Sequence, residues 1–303
     1  MEKHAHPHHD PSGRLLISIV LNGMITVAEI AGGIVSNSLA LVSDAIHNLS
    51  DTLALMLAWA ANRVGERKPD ARRTFGYKRF EILSAFINAA LLTGISLYLI
   101  YESAVRFLHP EPVKPGLMLV IAIVGLAGNL CSMLFLHHDS EHSLNVKAAY
   151  VHLLGDTISS VAVIAGAVFI YYTGMAWIDP LLTVVISIVI MIQAYRILRE
   201  SVGILMQSTP ATIDLTKIKM LVESHPQVRN IHHVHCWQLQ DHDILFEAHV
   251  ETDRNMMLSE SNSLMAEIER LLQENFGVTH TTLQMEFETC EDTAMIKQPG
   301  SYD

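Results

Sequence analysis

Charge is scarce in this chain. Only 17% of its 303 residues are Asp, Glu, Lys or Arg, while 50% are hydrophobic; soluble domains usually carry about 25% charged residues. A purely soluble protein is therefore excluded as the simplest reading. Cysteine is scarcer still. Cys131, Cys236 and Cys290 form neither a C-x-x-C pair nor a framework, so they read as reduced thiols and not as a disulfide scaffold. No G-x-x-x-x-G-K-[ST] loop is present, which argues against an ATP-driven pump. No His-Glu-x-x-His occurs either, and no general base is evident. An intramembrane metalloenzyme, which needs three protein ligands and an open position for water, is accordingly not expected. The first fourteen residues are rich in histidine and lack the short apolar core and small-residue cleavage site of a signal peptide.

What is present is strongly segregated. Nearly all long apolar runs end before residue 207. Residues 1–207 carry 14 Lys and Arg against 15 Asp and Glu, and the remainder 6 against 16, so most of the net charge of −11 lies in the last third. This divides the chain into a His-rich tail (1–14), a membrane domain (15–207), an acidic soluble domain (208–292) and a short tail (293–303). Six windows are long enough to span a hydrocarbon core, which takes about 20 helical residues: 15–36, 39–62, 80–104, 113–136, 147–172 and 177–198. Arg63, Arg67, Lys68, Arg72, Arg73, Lys78 and Arg79 crowd the loop after the second window, whereas the loops after the first and fifth carry no Lys or Arg. The positive-inside rule places the basic loop in the cytoplasm, and six spans then put both termini there.

Beyond 208 the periodicity changes. Residues 213–224 and 258–275 have helical spacing, while 230–240, 244–252 and 279–288 read as strands. The expected class is an all-α membrane domain of six transmembrane helices followed by a small α+β domain of order αββαβ.

The chemistry-bearing residues lie in the second and fifth windows. Asp44-Ala-Ile-His47-Asn-Leu-Ser-Asp51 and His152-Leu-Leu-Gly-Asp156 each contain His-x-x-x-Asp. On a helix this spacing sets imidazole and carboxylate on one face, a turn apart. Two such helices side by side offer two nitrogens and two oxygens, a complete tetrahedral shell for a metal of the zinc type. The bland alternative is a pair of His–Asp braces, but four ionisable groups at membrane depth are costly without a compensating partner. The absence of sulfur argues against Cu(I), and two imidazoles argue against Mg²⁺ or Ca²⁺. Zinc fits best, with cadmium and cobalt left open. Asp44, three residues before His47, is expected in a supporting role. Asn22, Glu29 and Asn88 are further intramembrane polar groups, which more often join helices than bind substrate.

Ser38-Leu-Ala-Leu-Val-Ser-Asp-Ala-Ile-His-Asn-Leu-Ser-Asp51, Thr74-Phe-Gly-Tyr-Lys-Arg-Phe-Glu81, His152-x-x-x-Asp156 and His232-His-Val-His-Cys-Trp237 resemble the cation diffusion facilitator family, and within it the bacterial zinc exporters. The resemblance covers essentially the whole chain. It implies a homodimer in the inner (cytoplasmic) membrane, six transmembrane helices, a cytosolic ferredoxin-like domain, and export of zinc in exchange for protons, with no enzymatic activity and no nucleic-acid partner. It also implies a regulatory zinc site at His232, His249 and Glu286, one residue from each predicted strand. His233, His235 and Gln284 are neighbours that would substitute or add, and Cys290 is a further candidate. Strand alternation sends His233 and His235 to the face opposite His232. An additional loop site found in some relatives is not expected, because the matching positions read Asp70, Arg73 and Tyr77. His4, His6, His8, His9, His137, His138 and His142 read equally as a metal-capturing array or as polar tail and linker. A membrane metal sensor that does not transport remains the alternative to a carrier, since ligands alone do not establish flux.

Overall fold

The structure is a computed structural model that describes residues 11–65, 67–140, 144–240, 243–288 and 294–296, with the side chains of 11–22, 55, 58–59, 61–62, 132, 134–140 and 144–153 excepted. Six helices come first: α1 (Pro11–Ser36), α2 (Leu39–Gly65), α3 (Arg79–Leu108), α4 (Pro115–Ser140), α5 (Leu144–Thr173) and α6 (Ile178–Leu205). Among the described residues, Arg79–Leu108, Leu154–Thr173 and Ile178–Leu205 are long and apolar enough to cross a membrane. Helices α3 and α6 run beyond the sequence windows, to Leu108 and Leu205. By their contacts, Met1–Trp59 and Ile87–Leu198 form one compact unit, and Ala60–Phe86 with Arg199–Asp303 form another.

In the first unit Ala40, Leu41, Met118, Ala122, Val163, Ala167, Ile186 and Ile190 form the buried core. Large apolar side chains also point outward, among them Leu97, Tyr101, Ile158, Val185 and Ile192. Apolar residues inside and outside together are what a lipid solvent permits. Tyr171, Tyr172 and Trp177 are exposed at the turn from α5 to α6, as aromatic rings are at a membrane–water boundary. Helices α1 and α4 approach closely over Gly125 and Gly128, where a Cβ would strike Glu29 and Ile25. Small residues of this kind let backbones pack tightly where no hydrophobic force acts between helices. Asn37, left-handed at φ 59°, turns the chain from α1 into α2, and Arg106 donates to its carbonyl at 2.8 Å.

In the second unit the order α7 (Leu215–Glu223), β1 (Val228–Gln240), β2 (Asp243–Thr252), α8 (Leu258–Phe276), β3 (Val278–Glu286) matches the expected αββαβ. The sheet order is β1-β2-β3, with β1 and β2 antiparallel and β2 and β3 parallel. Asp214 starts α7 by accepting from the Thr216 N–H at 3.0 Å, and Gly277 at φ 69° ends α8, a left-handed cap that glycine adopts without steric cost. Leu264, Ile268 and Leu272 form the buried stripe of α8. They pack with Ile218 and Val222 of α7 against Ile244, Phe246, Ala248 and Val250 of β2. Because side chains alternate along a strand, His249 and Glu251 of β2 point to the other face. The helices thus cover one face of the sheet, and the polar residues gather on the opposite one.

Candidate metal centres

Helix α2 presents His47 and Asp51 one turn apart. Across the interface with α5, His47 Nε2 lies 3.1 Å from Asp156 Oδ1 and 3.7 Å from Asp51 Oδ2. One ligand atom from each of the three falls within 4.8 Å of the others. Atoms held about 2.0–2.1 Å from a tetrahedral zinc lie roughly 3.3 Å apart, so the cluster has the spacing of a coordination shell. The Asp156 side chain is buried, 7% exposed, whereas that of Asp51 is 28% exposed. The fourth expected ligand, His152, lies on α5 one turn before Asp156, and its side chain is outside the described residues. So are the side chains of Asn22, His137 and His138, and the whole of His4, His6, His8, His9, His142 and Cys290.

The surrounding polar groups brace the helices. Asp44 is buried and its two oxygens accept from the hydroxyls of Ser159 and Ser160 on α5. Its hydrogen bonds therefore tie α2 to α5 beside the cluster. Asn48, next to His47, donates to Glu29 Oε2 at 2.9 Å. Ser50 and Asn88 hydrogen-bond to each other, the interhelical use expected for Asn88.

Asp179 gave no signal in the sequence beyond an acidic residue at the head of an apolar window. Fully buried, it accepts from the backbone N–H groups of Leu39 (2.8 Å) and Ala40 (3.3 Å) and from the Ser38 hydroxyl. A carboxylate on α6 thereby caps the helix that carries His47 and Asp51.

The second cluster lies on the open face of the sheet. His232 pairs in register with His249, and His249 with Gln284. His232 Nε2 is 3.3 Å from Glu286 Oε2, and His249 Nδ1 is 2.8 Å from Glu286 Oε1. These distances suit hydrogen bonds, yet His232 Nε2, His249 Nδ1 and Glu286 Oε2 make none with acceptable geometry. Buried lone pairs that converge without aligned protons fit a cation between them. Asn230 Nδ2 lies 3.3 Å from His232 Nδ1, and Gln284 donates to Glu286 Oε1 at 2.7 Å. Such outer partners hold ligands in orientation.

One expectation is corrected here. Simple alternation placed His233 opposite His232, but the register shifts between His232 and His235, and His233 adopts φ 55°. The bulge leaves Ile231 and His232 both buried and brings the His233 ring 4.6 Å from that of His249. A bulge redirects side chains in this way because its extra residue breaks the period of two. In the basic loop, Asp70 Oδ1 accepts from the N–H groups of Arg72 and Arg73, and Arg73 stacks on Tyr77. Asp70 is a turn residue in this arrangement.

A helical membrane domain joined to a small α/β domain, each with a cluster of imidazole and carboxylate groups, defines a membrane protein built to handle metal cations. Residues 15–206 match the cation efflux transmembrane domain, and residues 210–288 the cation efflux protein cytoplasmic domain. The chain belongs to the cation efflux, or cation diffusion facilitator, family. It is 38% identical over 289 residues to the metal cation efflux system protein CzcD of Cupriavidus metallidurans, covering 94% of this chain and 91% of that one. It is 39% identical over 299 residues to a cadmium, cobalt and zinc/H(+)-K(+) antiporter of Bacillus subtilis, covering 97% and 96%. To the zinc transporter ZitB of Escherichia coli it is 36% identical over 286 residues, covering 94% and 90%.

Proposed function

We propose that this protein is a secondary transporter, not an enzyme, that exports Zn²⁺ from the cytoplasm in exchange for protons. Transport runs by alternating access around His47, Asp51, His152 and Asp156. The observation that carries the reading is the 3.1 Å approach of Asp156 on α5 to His47 on α2, which joins the two His-x-x-x-Asp helices at one point. The names of the relatives, which speak of zinc, cadmium and cobalt, agree with the donor set. In this reading all six helices α1–α6 cross the inner membrane, both termini are cytoplasmic, and the αββαβ domain is ferredoxin-like and supports a homodimer. Zn²⁺ held by His232, His249 and Glu286 acts as a regulatory ligand there.

Proton exchange follows from ligand chemistry. A metal binds only deprotonated ligands, so metal and protons compete for the same atoms. Imidazoles ordinarily titrate near ~6.5, close to the pH on either side of a membrane. With the pocket open inward, Zn²⁺ displaces protons; with it open outward, protons displace Zn²⁺ and the inward gradient resets the cycle.

The test is uptake of radioactive zinc by everted vesicles with and without a pH gradient. Accumulation that collapses with the gradient is the expected result. Zinc binding without flux would identify a membrane sensor and overturn the transport reading.

A further inference from the structure

Lys219 of α7 reaches strand β1 and is held there by three acceptors. Its ammonium donates to Asn230 Oδ1 at 2.8 Å and to the Ile231 carbonyl at 3.1 Å, and Glu223 Oε1 lies 2.9 Å away. The same Glu223 oxygen accepts the Ile231 N–H at 3.2 Å, so the ammonium is fixed in place against β1. An ammonium can donate but cannot accept. The Asn230 atom that faces it must therefore be the amide oxygen, which turns the amide nitrogen to the other side. That nitrogen lies 3.3 Å from His232 Nδ1.

An amide nitrogen can only donate, so His232 Nδ1 is the acceptor of this pair. A neutral imidazole has one N–H, and the metal-free ring then carries it on Nε2. Nε2 is the atom that faces the metal cluster, 3.3 Å from Glu286 Oε2. A metal ligated by Nε2 needs the proton on Nδ1, and a ligating imidazole ordinarily donates that proton to a carboxylate or a carbonyl. Asn230 presents a donor there instead. Turning the amide over would offer His232 an oxygen but would set the NH₂ group against the Lys219 ammonium. The mismatch moves from one contact to the other and persists while Lys219 is present.

We infer that Lys219 is a positioning residue for the cytosolic metal site. Through Asn230 it holds His232 in the tautomer that zinc cannot use, and so it sets the zinc concentration at which the site fills. The inference rests on the reading of His232, His249 and Glu286 as a zinc site. Zinc binding there breaks the Lys219–Asn230 bond, which is charge-assisted and stronger than a neutral one. A site that fills only as zinc rises suits a regulatory ligand better than one that is always occupied.

The test uses the full chain carrying Asp51→Ala/Asp156→Ala, which removes ligands of the expected transport site. Calorimetric titration with zinc measures the binding component that Glu286→Gln/His249→Ala abolishes. Lys219→Met should tighten that component about tenfold, because Asn230 is then free to turn over. Asn230→Asp should tighten it as much or more with Lys219 intact, since its two oxygens accept from Lys219 and from the Nδ1 proton together. Lys217→Gln, which removes an exposed cation from the same helix, should change it by no more than about twofold. In metal-free protein at about pH 8, above the ordinary imidazole range, nitrogen NMR should find the His232 proton on Nε2 in the parent and on Nδ1 in Asn230→Asp. A parent proton on Nδ1, unchanged affinity in both Lys219→Met and Asn230→Asp, or an equal gain in Lys217→Gln overturns the inference. If Glu286→Gln/His249→Ala removes no zinc binding, the zinc-site reading itself fails, and the inference falls with it.

Discussion

Asp179 Oδ2 accepts the backbone N–H of Leu39 at 2.8 Å, so a carboxylate on α6 sets where α2 begins. His47 and Asp51 lie about two and three turns further along α2. The cap therefore fixes the height and rotation of two expected metal ligands without touching either.

Asp179→Ala leaves the first N–H groups of α2 unsatisfied in a buried setting. A lost cap costs about 0.5–2 kcal/mol, and burial pushes the loss toward the upper end. Thermal unfolding in detergent should register the drop, and zinc flux should fall although every ligand is intact. Asp179→Asn keeps acceptor oxygen and should lie between the two.

Gly125 offers a second indirect control. A Cβ added there would collide with Glu29 Oε1, while Glu29 Oε2 is already held by Asn48. Turning the carboxylate aside strains that bond. Gly125→Ala should destabilise by about 1–3 kcal/mol, the usual range for overpacking, measured as a lowered unfolding midpoint. A neutral effect would show that the Glu29 side chain turns aside at little cost.

Ligand chemistry is tested by three replacements. Asp51→Ala and Asp156→Ala each delete an oxygen ligand and a compensating charge, so reconstituted zinc flux should fall to background. His47→Asp retains a ligand but makes the set harder, so some zinc flux should persist while discrimination against Cd²⁺ and Mn²⁺ relaxes. Wild-type zinc rates in both alanine variants would remove these residues from the pathway.

The cytosolic cluster is tested by stability and not by flux. A ligand at a hundred times its Kd stabilises the state that binds it by about 2.7 kcal/mol. Zinc should raise the unfolding midpoint of the wild-type cytosolic domain and leave Glu286→Gln/His249→Ala nearly unshifted.

Burial pushes the Cys236 thiol up to about 11. Between the ordinary thiol range and that value, the unfolded chain ionises and the folded chain does not. Stability should therefore decline as pH rises from about 8.5 toward 11. The decline should be shallower in Cys236→Ala, as read from denaturant midpoints at stepped pH.

Much of this protein follows from local pattern. Apolar runs and the shift to period-two alternation mark the helices and strands, because helix and strand periods are properties of short segments. The i, i+4 spacing of His47 and Asp51, and of His152 and Asp156, is legible for the same reason. Three decisive arrangements are not. Asp156 meets His47 across 109 residues, Asp179 caps Leu39 across 140, and Glu29 fills the space that Gly125 leaves. Even within one strand, the bulge at His233 turns a ring that alternation sends away back toward His249. Sequence alone determined which residues share a helix face or a strand. Only the tertiary structure decided which faces meet, because that choice depends on close packing of side chains far apart in the chain, where local periodicity carries no information.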